Sequence, residues 1–218
     1  MNSLFNPNNP FWNTVSKIIG LCVLSMLFTL CCLPIVTIGP ACAAIYYAVV
    51  KSIRRERSYY ITEFFRAFRD NLKRGILVNL ILLALTVMML LTDVPLMVGY
   101  INTGKMNNTI SALLFIAKLV LLLGVSCWIY PLMSRFDQRT TSLFGYSLLL
   151  LIRNILTSIY GILILFFSLV LIIIEPLFLA VVPGTATLIL SFRLEPVLQK
   201  LCGEPTDDSS QDMWYLGR

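Results

Sequence analysis

The sequence predicts an all-α fold, a polytopic membrane bundle of about six transmembrane helices with one amphipathic helix at the cytoplasmic interface. Hydrophobic residues make up 58% of the 218 positions and charged residues 13%, an apolar excess that one water-soluble core could not bury. The apolar residues also gather in runs close to the ~20 residues that cross a bilayer. We expect residues 1–200 to form a single transmembrane domain and residues 201–218 a polar, flexible cytoplasmic tail.

Each expected span is an apolar run that ends at proline, glycine or charge. In chain order, the runs cover residues 15–33, 35–53, 76–91, 109–132, 156–174 and 177–194. Helix-breaking residues interrupt the second run and the sixth, namely Pro34, Gly39, Pro40, Pro183 and Gly184. Residues 35–53 fit either a full span, which we prefer, or a re-entrant segment supported by neighbouring helices. The polar start lacks the basic region of a cleavable signal peptide, so the first span is expected to stay in the protein.

The distribution of positive charge predicts the orientation. Residues 51–74 form the densest basic stretch, Arg135 and Arg139 follow the fourth run, and the loop 100–108 carries one basic residue. Because lysine and arginine accumulate in cytoplasmic loops, we expect a cell-membrane protein with both termini in the cytoplasm. The net charge of +6 therefore indicates topology and contact with anionic inner-leaflet lipid rather than nucleic acid.

The alternation of apolar and polar residues in 62–73 predicts an amphipathic helix at the membrane interface, with Thr62 as a candidate N-cap. The apolar face is Ile61, Phe64, Phe65, Phe68 and Leu72, and the other face is Glu63, Arg66, Arg69 and Asp70. Two interpretations stay open, an anchor on anionic lipid and a docking surface for a partner protein. The residues expected at this lipid or partner contact are Phe64, Phe65, Arg66, Phe68, Arg69, Lys73, Arg74 and Arg135.

Lys118 is the most unusual residue, about nine positions inside the fourth apolar run, where a lone cation costs several kcal/mol. The expected counter-charges are Asp93 and Glu175, near the outer ends of neighbouring spans. One hypothesis is an intramembrane polar site that binds an anion or sugar hydroxyls. The other is a structural lysine, or one that reaches outward to the interface.

We expect no enzyme, no cofactor and no metal site. The sequence has no histidine, no Walker-type phosphate loop and no carboxylate pair spaced for acid–base work among Asp93, Asp137, Glu175 and Glu195. The cysteines are interpreted as small hydrophobic residues, mostly in apolar runs, although the adjacent Cys31 and Cys32 leave a disulfide or metal role open. They are Cys22, Cys31, Cys32, Cys42, Cys127 and Cys202.

Four segments together resemble the YesL-like family of bacterial membrane proteins, a family of unknown function. They are FWNTVSKIIG, LCCLPIVTIGPACAAIYYAVVK, TEFFRAFRDNLKRG and YPLMSRFD. The most specific part is LPIVTIGP, residues 33–40, followed about 20 residues later by an FFRAF-like element. The resemblance covers essentially the whole chain. It implies an association with carbohydrate ABC transporters, because genes of this family commonly lie beside their components and beside sugar-degrading enzymes in Gram-positive bacteria.

The leading hypothesis is a non-enzymatic membrane protein that acts as an accessory or regulatory partner of a carbohydrate ABC permease. Residues 62–73 and 131–139 would form the contact. The alternative is a small secondary transporter or channel for a polar solute. In that case the helix breaks at Gly39–Pro40 and Pro183–Gly184 would frame a polar path that includes Lys118.

Overall fold

The computed structural model describes residues 10–55, 59–103 and 107–202, and within these ranges the regular structure is helical, without a β-strand. The all-α prediction is confirmed for this part of the chain. The α-helices are α1 (Pro10–Cys32), α2 (Ile38–Ala48), α3 (Tyr60–Asp70), α4 (Leu72–Thr103), α5 (Asn107–Arg135), α6 (Thr140–Arg153), α7 (Ile155–Ile174) and α8 (Val182–Cys202). Shorter elements are a 3₁₀ turn at Ile35–Thr37, a π-helix at Val49–Arg54 and a 3₁₀ turn at Pro176–Ala180. The predicted tail, residues 203–218, lies outside the described ranges.

Within the described residues, five helical segments are long and apolar enough to cross a membrane, as expected of a multi-pass membrane protein. They are Thr14–Cys32, Ile35–Arg54, Leu72–Asp93, Ala112–Arg135 and Ile155–Ile174. The sixth expected span coincides with the 3₁₀ turn Pro176–Ala180 and α8, which does not meet the same criterion. Arg193, Glu195 and Lys200 make α8 more polar than the other long helices.

The predicted interruption around Pro34 and Gly39–Pro40 is a turn between two helices. α1 ends at Cys32, and Pro34 has an extended backbone (φ −78°, ψ 118°). Gly39 and Pro40 then lie in the first turn of α2, where proline removes no helical hydrogen bond. From this start the chain continues as helix to Arg54.

α2 and the π-helix after it form the centre of the molecule. The segment Ile35–Arg54 has the largest buried share of the five candidate spans. Its alanines at positions 41, 43, 44 and 48 are fully buried. Short side chains let neighbouring backbones approach closely, so α1, α3, α4 and α5 all pack around this segment.

Two apolar clusters lie on either side of α2. One surrounds Trp128 on α5 and takes Leu143 and Leu150 from α6 and Leu194 and Leu198 from α8. The indole Nε1 of Trp128 donates a hydrogen bond to Ser158 Oγ at 2.9 Å, which ties α5 to the start of α7. The other cluster joins α1, α2 and α3, with Phe64 at its buried end.

Three local predictions need correction. The loop expected at residues 100–108 is largely helical, because α4 continues through Pro95 to Thr103 and α5 begins at Asn107. Pro183 and Gly184 do not break a helix; they lie in the first turn of α8, and the interruption falls earlier, at Glu175–Val181. Thr62 is not a cap, since α3 begins after Tyr59.

Candidate functional site

The strongest concentration of buried charge joins α2, α5 and α8. Arg135 Nη1 donates to Glu195 Oε1 at 3.1 Å, and Tyr46 Oη donates to Glu195 Oε2 at 3.0 Å. The side chains of Arg135 and Glu195 are each 1% exposed. Each oxygen of the Glu195 carboxylate therefore accepts a hydrogen bond from a different helix.

Arg54 extends this polar region at the end of the π-helix. Its Nη1 donates to the carbonyl oxygen of Ser191, at 3.0 Å, and its guanidinium stacks on the Phe192 ring at 4.9 Å. Ser191 and Glu195 are one turn apart on α8, so Arg54 and Arg135 hold neighbouring turns of the same helix. We call Arg135 and Glu195 the buried charge cluster; Arg54, which is half-buried, contacts the preceding turn of α8.

A second buried ion pair attaches α3 to the π-helix. Lys51 Nζ lies 2.9 Å from Glu63 Oε2, and both side chains are 8% exposed. The same ammonium donates to Tyr47 Oη at 3.3 Å. Because two charges in an apolar interior persist only when they neutralise each other, this pair fixes which face of α3 turns inward. Glu63 was predicted on the polar face of the helix with Arg66 and Arg69, and that assignment is wrong, because Glu63 is buried against the protein.

The two faces of α3 differ from the predicted ones. Phe64 is fully buried and Ala67 is 4% exposed, so both pack against the protein. Phe65, Arg66 and Arg69 are exposed, and Phe68 is half-buried. Of the residues predicted for a lipid or partner contact on α3, Phe65, Arg66 and Arg69 therefore remain on the outer surface.

The other residues of that predicted contact separate in the structure. Lys73 is exposed at the start of α4. Arg74 Nη1 lies 2.6 Å from Asp137 Oδ1, a pair that joins the start of α4 to the segment between α5 and α6. Arg135 points inward to Glu195 and does not reach the surface that carries Arg66.

Lys118 pairs with Asp93, one of its two expected counter-charges. Its Nζ lies 3.0 Å from both carboxylate oxygens; the Asp93 side chain is 6% exposed and that of Lys118 is 49% exposed. The other expected partner, Glu175, is exposed at the end of α7.

The depth of Lys118 follows from helix length. Lys118 and Arg135 are 17 positions apart on α5, a rise of about 26 Å, close to the ~30 Å of a hydrocarbon core. If Arg135 marks one boundary of the membrane, Lys118 lies near the other. This position favours the structural interpretation of Lys118 over a site deep in the membrane.

A third polar contact connects the opposite half of the bundle. The backbone N–H of Gly184 donates to Ser25 Oγ at 2.9 Å, and Thr29 Oγ1 donates to the carbonyl oxygen of Leu179 at 3.3 Å. A Cβ atom on Gly184 would lie 2.7 Å from the carbonyl oxygen of Leu21. The start of α8 and the 3₁₀ turn before it therefore lie directly against α1.

No group of three or more potential metal ligands occurs among the residues that the structure describes. Cys22, Cys31, Cys32, Cys42 and Cys127 are free thiols.

Sequence reasoning missed the role of Glu195 and of Tyr46. Glu195 was interpreted, with Arg193, as a marker of the membrane boundary, and its burial against Arg135 and Tyr46 was not predicted. The sequence did contain an indication of this burial. Leu190, Leu194 and Leu198 repeat every four residues on one face of α8, and Ser191 and Glu195 each follow one of these leucines at the edge of that face. The polar face of α8 thus adjoins its buried face, which average hydrophobicity does not show.

Comparison with known proteins gives one match. A family model described as "Protein of unknown function, DUF624" matches residues 18–94. This region holds α2, α3 and the Lys51–Glu63 pair. It is similar to a family without an assigned activity. No curated protein and no solved structure matches the chain.

Proposed function

We propose that the protein is a non-enzymatic, multi-pass cell-membrane protein that serves as an accessory or regulatory partner of a carbohydrate ABC uptake system. The observation that carries the proposal is the arrangement of α3. One side of the helix is attached to the protein by Phe64 and by the Lys51–Glu63 pair. The other presents Phe65, Arg66 and Arg69 to the surroundings.

The choice of partner rests on the resemblance to the YesL-like family, which we propose extends over the whole chain. The DUF624 match supports it over residues 18–94. The position of genes of this family beside carbohydrate transport components supports the choice of partner indirectly. The exposed Phe65, Arg66 and Arg69 of α3 support a protein contact physically. Aromatic and arginine side chains are enriched where proteins bind each other.

We further propose six membrane crossings with both termini in the cytoplasm. The sixth crossing would consist of the 3₁₀ turn Pro176–Ala180 followed by α8. Its support is that α8 lies against α1 at Gly184 and against α5 at Glu195, which aligns it with the bundle. The buried charge cluster accounts for the polar half of α8, because its carboxylate faces Arg135 and not lipid. The basic residues of α3 and α4 favour a cytoplasmic location for that end.

The test is purification of a tagged copy from native membranes in mild detergent, with identification of the proteins that accompany it. We expect a carbohydrate permease or its solute-binding protein to accompany the unchanged chain. Arg66→Glu with Arg69→Glu should abolish this without changing membrane insertion. Arg153→Glu with Lys200→Glu reverses two exposed charges outside residues 62–73 and 131–139 and should leave the complex intact.

If the unchanged protein purifies alone, or if both double variants behave alike, the accessory role is rejected. Solute flux into liposomes that contain only this protein then becomes the measurement to make.

Such flux would support a small secondary transporter or channel, the second candidate function. The observation that favours it is the buried charge cluster, since ionisable residues inside a membrane protein commonly mark a transport path. Glu195 and Arg135 neutralise each other in this structure, so transport would require them to separate. Arg135→Met should then abolish flux, and a flat result across sugars and ions would reject this candidate.

A further inference from the structure

α6 is too short to cross a bilayer, yet it is apolar on the side that faces away from the protein. Its 14 residues extend about 21 Å. One stripe, Leu143, Ser147 and Leu150, is buried against α5. The opposite side exposes Tyr146, Leu148, Leu149 and Ile152. A Cβ atom on Gly145 would meet no atom within 4 Å, which shows that this side is open.

The apolar surface continues across the junction with α7. Only Asn154 separates the two helices, and Ser158 Oγ donates back to the carbonyl oxygen of Leu151 at 3.2 Å. Ile155 and Leu156 at the start of α7 are exposed, Leu156 by 85%. The two helices thus present exposed apolar side chains on both sides of Asn154. We call this junction, residues 149–156, the α6–α7 elbow, and the two helices its arms.

Both ends of α6 carry positive charge. Arg139 precedes the helix and Arg153 occupies its last turn, and both side chains are exposed. The sequence has no acidic residue between Gln138 and Ile174. Any headgroup at the elbow therefore meets Arg153 without a competing carboxylate on either arm.

We infer that the α6–α7 elbow binds an anionic phospholipid. The phosphate contacts Arg153, and the acyl chains cover Leu149, Ile152 and Leu156. The positive charge of Arg153 complements the lipid phosphate, and the apolar side chains on both sides of it match the acyl chains. α6 is too short to reach the other leaflet. The leaflet is the one at the end of the bundle where Arg74 meets Asp137. This inference concerns a surface separate from α3 and does not depend on the proposed partner.

The test uses the purified full chain in mixed micelles with phosphatidylglycerol or phosphatidylcholine, and native mass spectrometry counts bound lipids. We expect phosphatidylglycerol to bind in preference, and Arg153→Gln to weaken its binding about fivefold, the contribution of one basic residue near anionic lipid. Arg153→Lys keeps the charge and should keep the binding. Arg193→Gln removes one exposed arginine charge on α8, outside both contact surfaces, and serves as the matched control.

Equal binding of both lipids would overturn the inference. An equal loss in Arg153→Gln and Arg193→Gln would also overturn it, because that result would indicate an effect of net charge and no local site. A polypeptide that co-purifies and is lost only in Arg153→Gln would also overturn it, since the elbow would then be a protein interface. Because Arg153 is exposed, circular dichroism should show the same helix content in all variants.

Discussion

A Cβ atom on Gly75 would lie 2.6 Å from the backbone nitrogen of Pro40, so α2 and α4 touch through their main chains. Gly39 approaches the carbonyl oxygen of Gly75 in the same place. The contact is closed on one side by Asn79, whose Nδ2 donates to the carbonyl oxygen of Ile35 at 2.7 Å. The Ile35 carbonyl, which also accepts from the Ile38 N–H, thus receives a second hydrogen bond from α4.

Gly75→Val is expected to destabilise the protein by about 2 kcal/mol or more, because backbone atoms cannot move aside as a side chain can. The measurement is the thermal unfolding midpoint in detergent. Gly145→Ala is the matched control: its new methyl group meets nothing within 4 Å, and alanine is favoured over glycine in a helix by roughly 1 kcal/mol. Equal midpoints for the two variants would contradict the close contact.

Arg135→Met is expected to destabilise the bundle by about 3–5 kcal/mol, since it leaves the buried Glu195 carboxylate without its cation. Glu195→Gln should cost less, because the amide oxygen still accepts from Arg135 or Tyr46. The double variant Arg135→Met with Glu195→Leu should recover part of the loss. Measured as a double-mutant cycle on unfolding midpoints, additive effects would show that the pair is not coupled.

Glu63→Gln is expected to release α3, because Lys51 is then a buried cation without an opposing charge. The reporter is Ala67→Cys in a background without other cysteines. Ala67 is 4% exposed, so a water-soluble maleimide should label it slowly in the native chain and quickly in Glu63→Gln. The exchanged pair Lys51→Glu with Glu63→Lys should restore slow labelling. Unchanged labelling in Glu63→Gln would mean that Phe64 alone holds the helix.

Lys118→Met is expected to lower the unfolding free energy by about 1–2 kcal/mol through loss of a charged hydrogen bond to the buried Asp93. Lys118→Arg should retain most of the stability because it can still bind both oxygens. If instead Lys118→Met is as stable as the native protein but loses a transport activity, the lysine belongs to a solute site. Thermal unfolding and liposome flux, measured on the same preparations, separate the two roles.

The helical class and the position of most long helices could be predicted from the sequence. An apolar run of about 20 residues satisfies its backbone hydrogen bonds in lipid by forming a helix. α7 illustrates this: the expected limits were 156–174 and the helix is Ile155–Ile174. The ends of α4 and α5 were predicted less well. A polar stretch such as residues 100–108 was interpreted as a loop, although helices can continue beyond a membrane surface.

The buried ion pairs could not be predicted from sequence alone. Lys51 and Glu63 lie on different helices, and their pairing depends on how α3 folds back on the π-helix. A period of 3.6 residues identified α3 as amphipathic but not which polar residue would be turned inward. Asp93 was predicted as one of two candidate carboxylate partners of Lys118, because an isolated lysine in an apolar run requires a partner and few carboxylates were within reach.

The Arg135–Glu195 pair also imposes an order on the biogenesis of the protein. Among the described helices α8 is the last to leave the ribosome, and it brings a carboxylate whose cation was made 60 residues earlier and whose tyrosine donor was made 149 residues earlier. Until both are in place, burying Glu195 leaves a carboxylate without its cation, which costs several kcal/mol. α8 therefore packs onto partners that have already folded, so errors in folding α2 or α5 would leave this helix undocked.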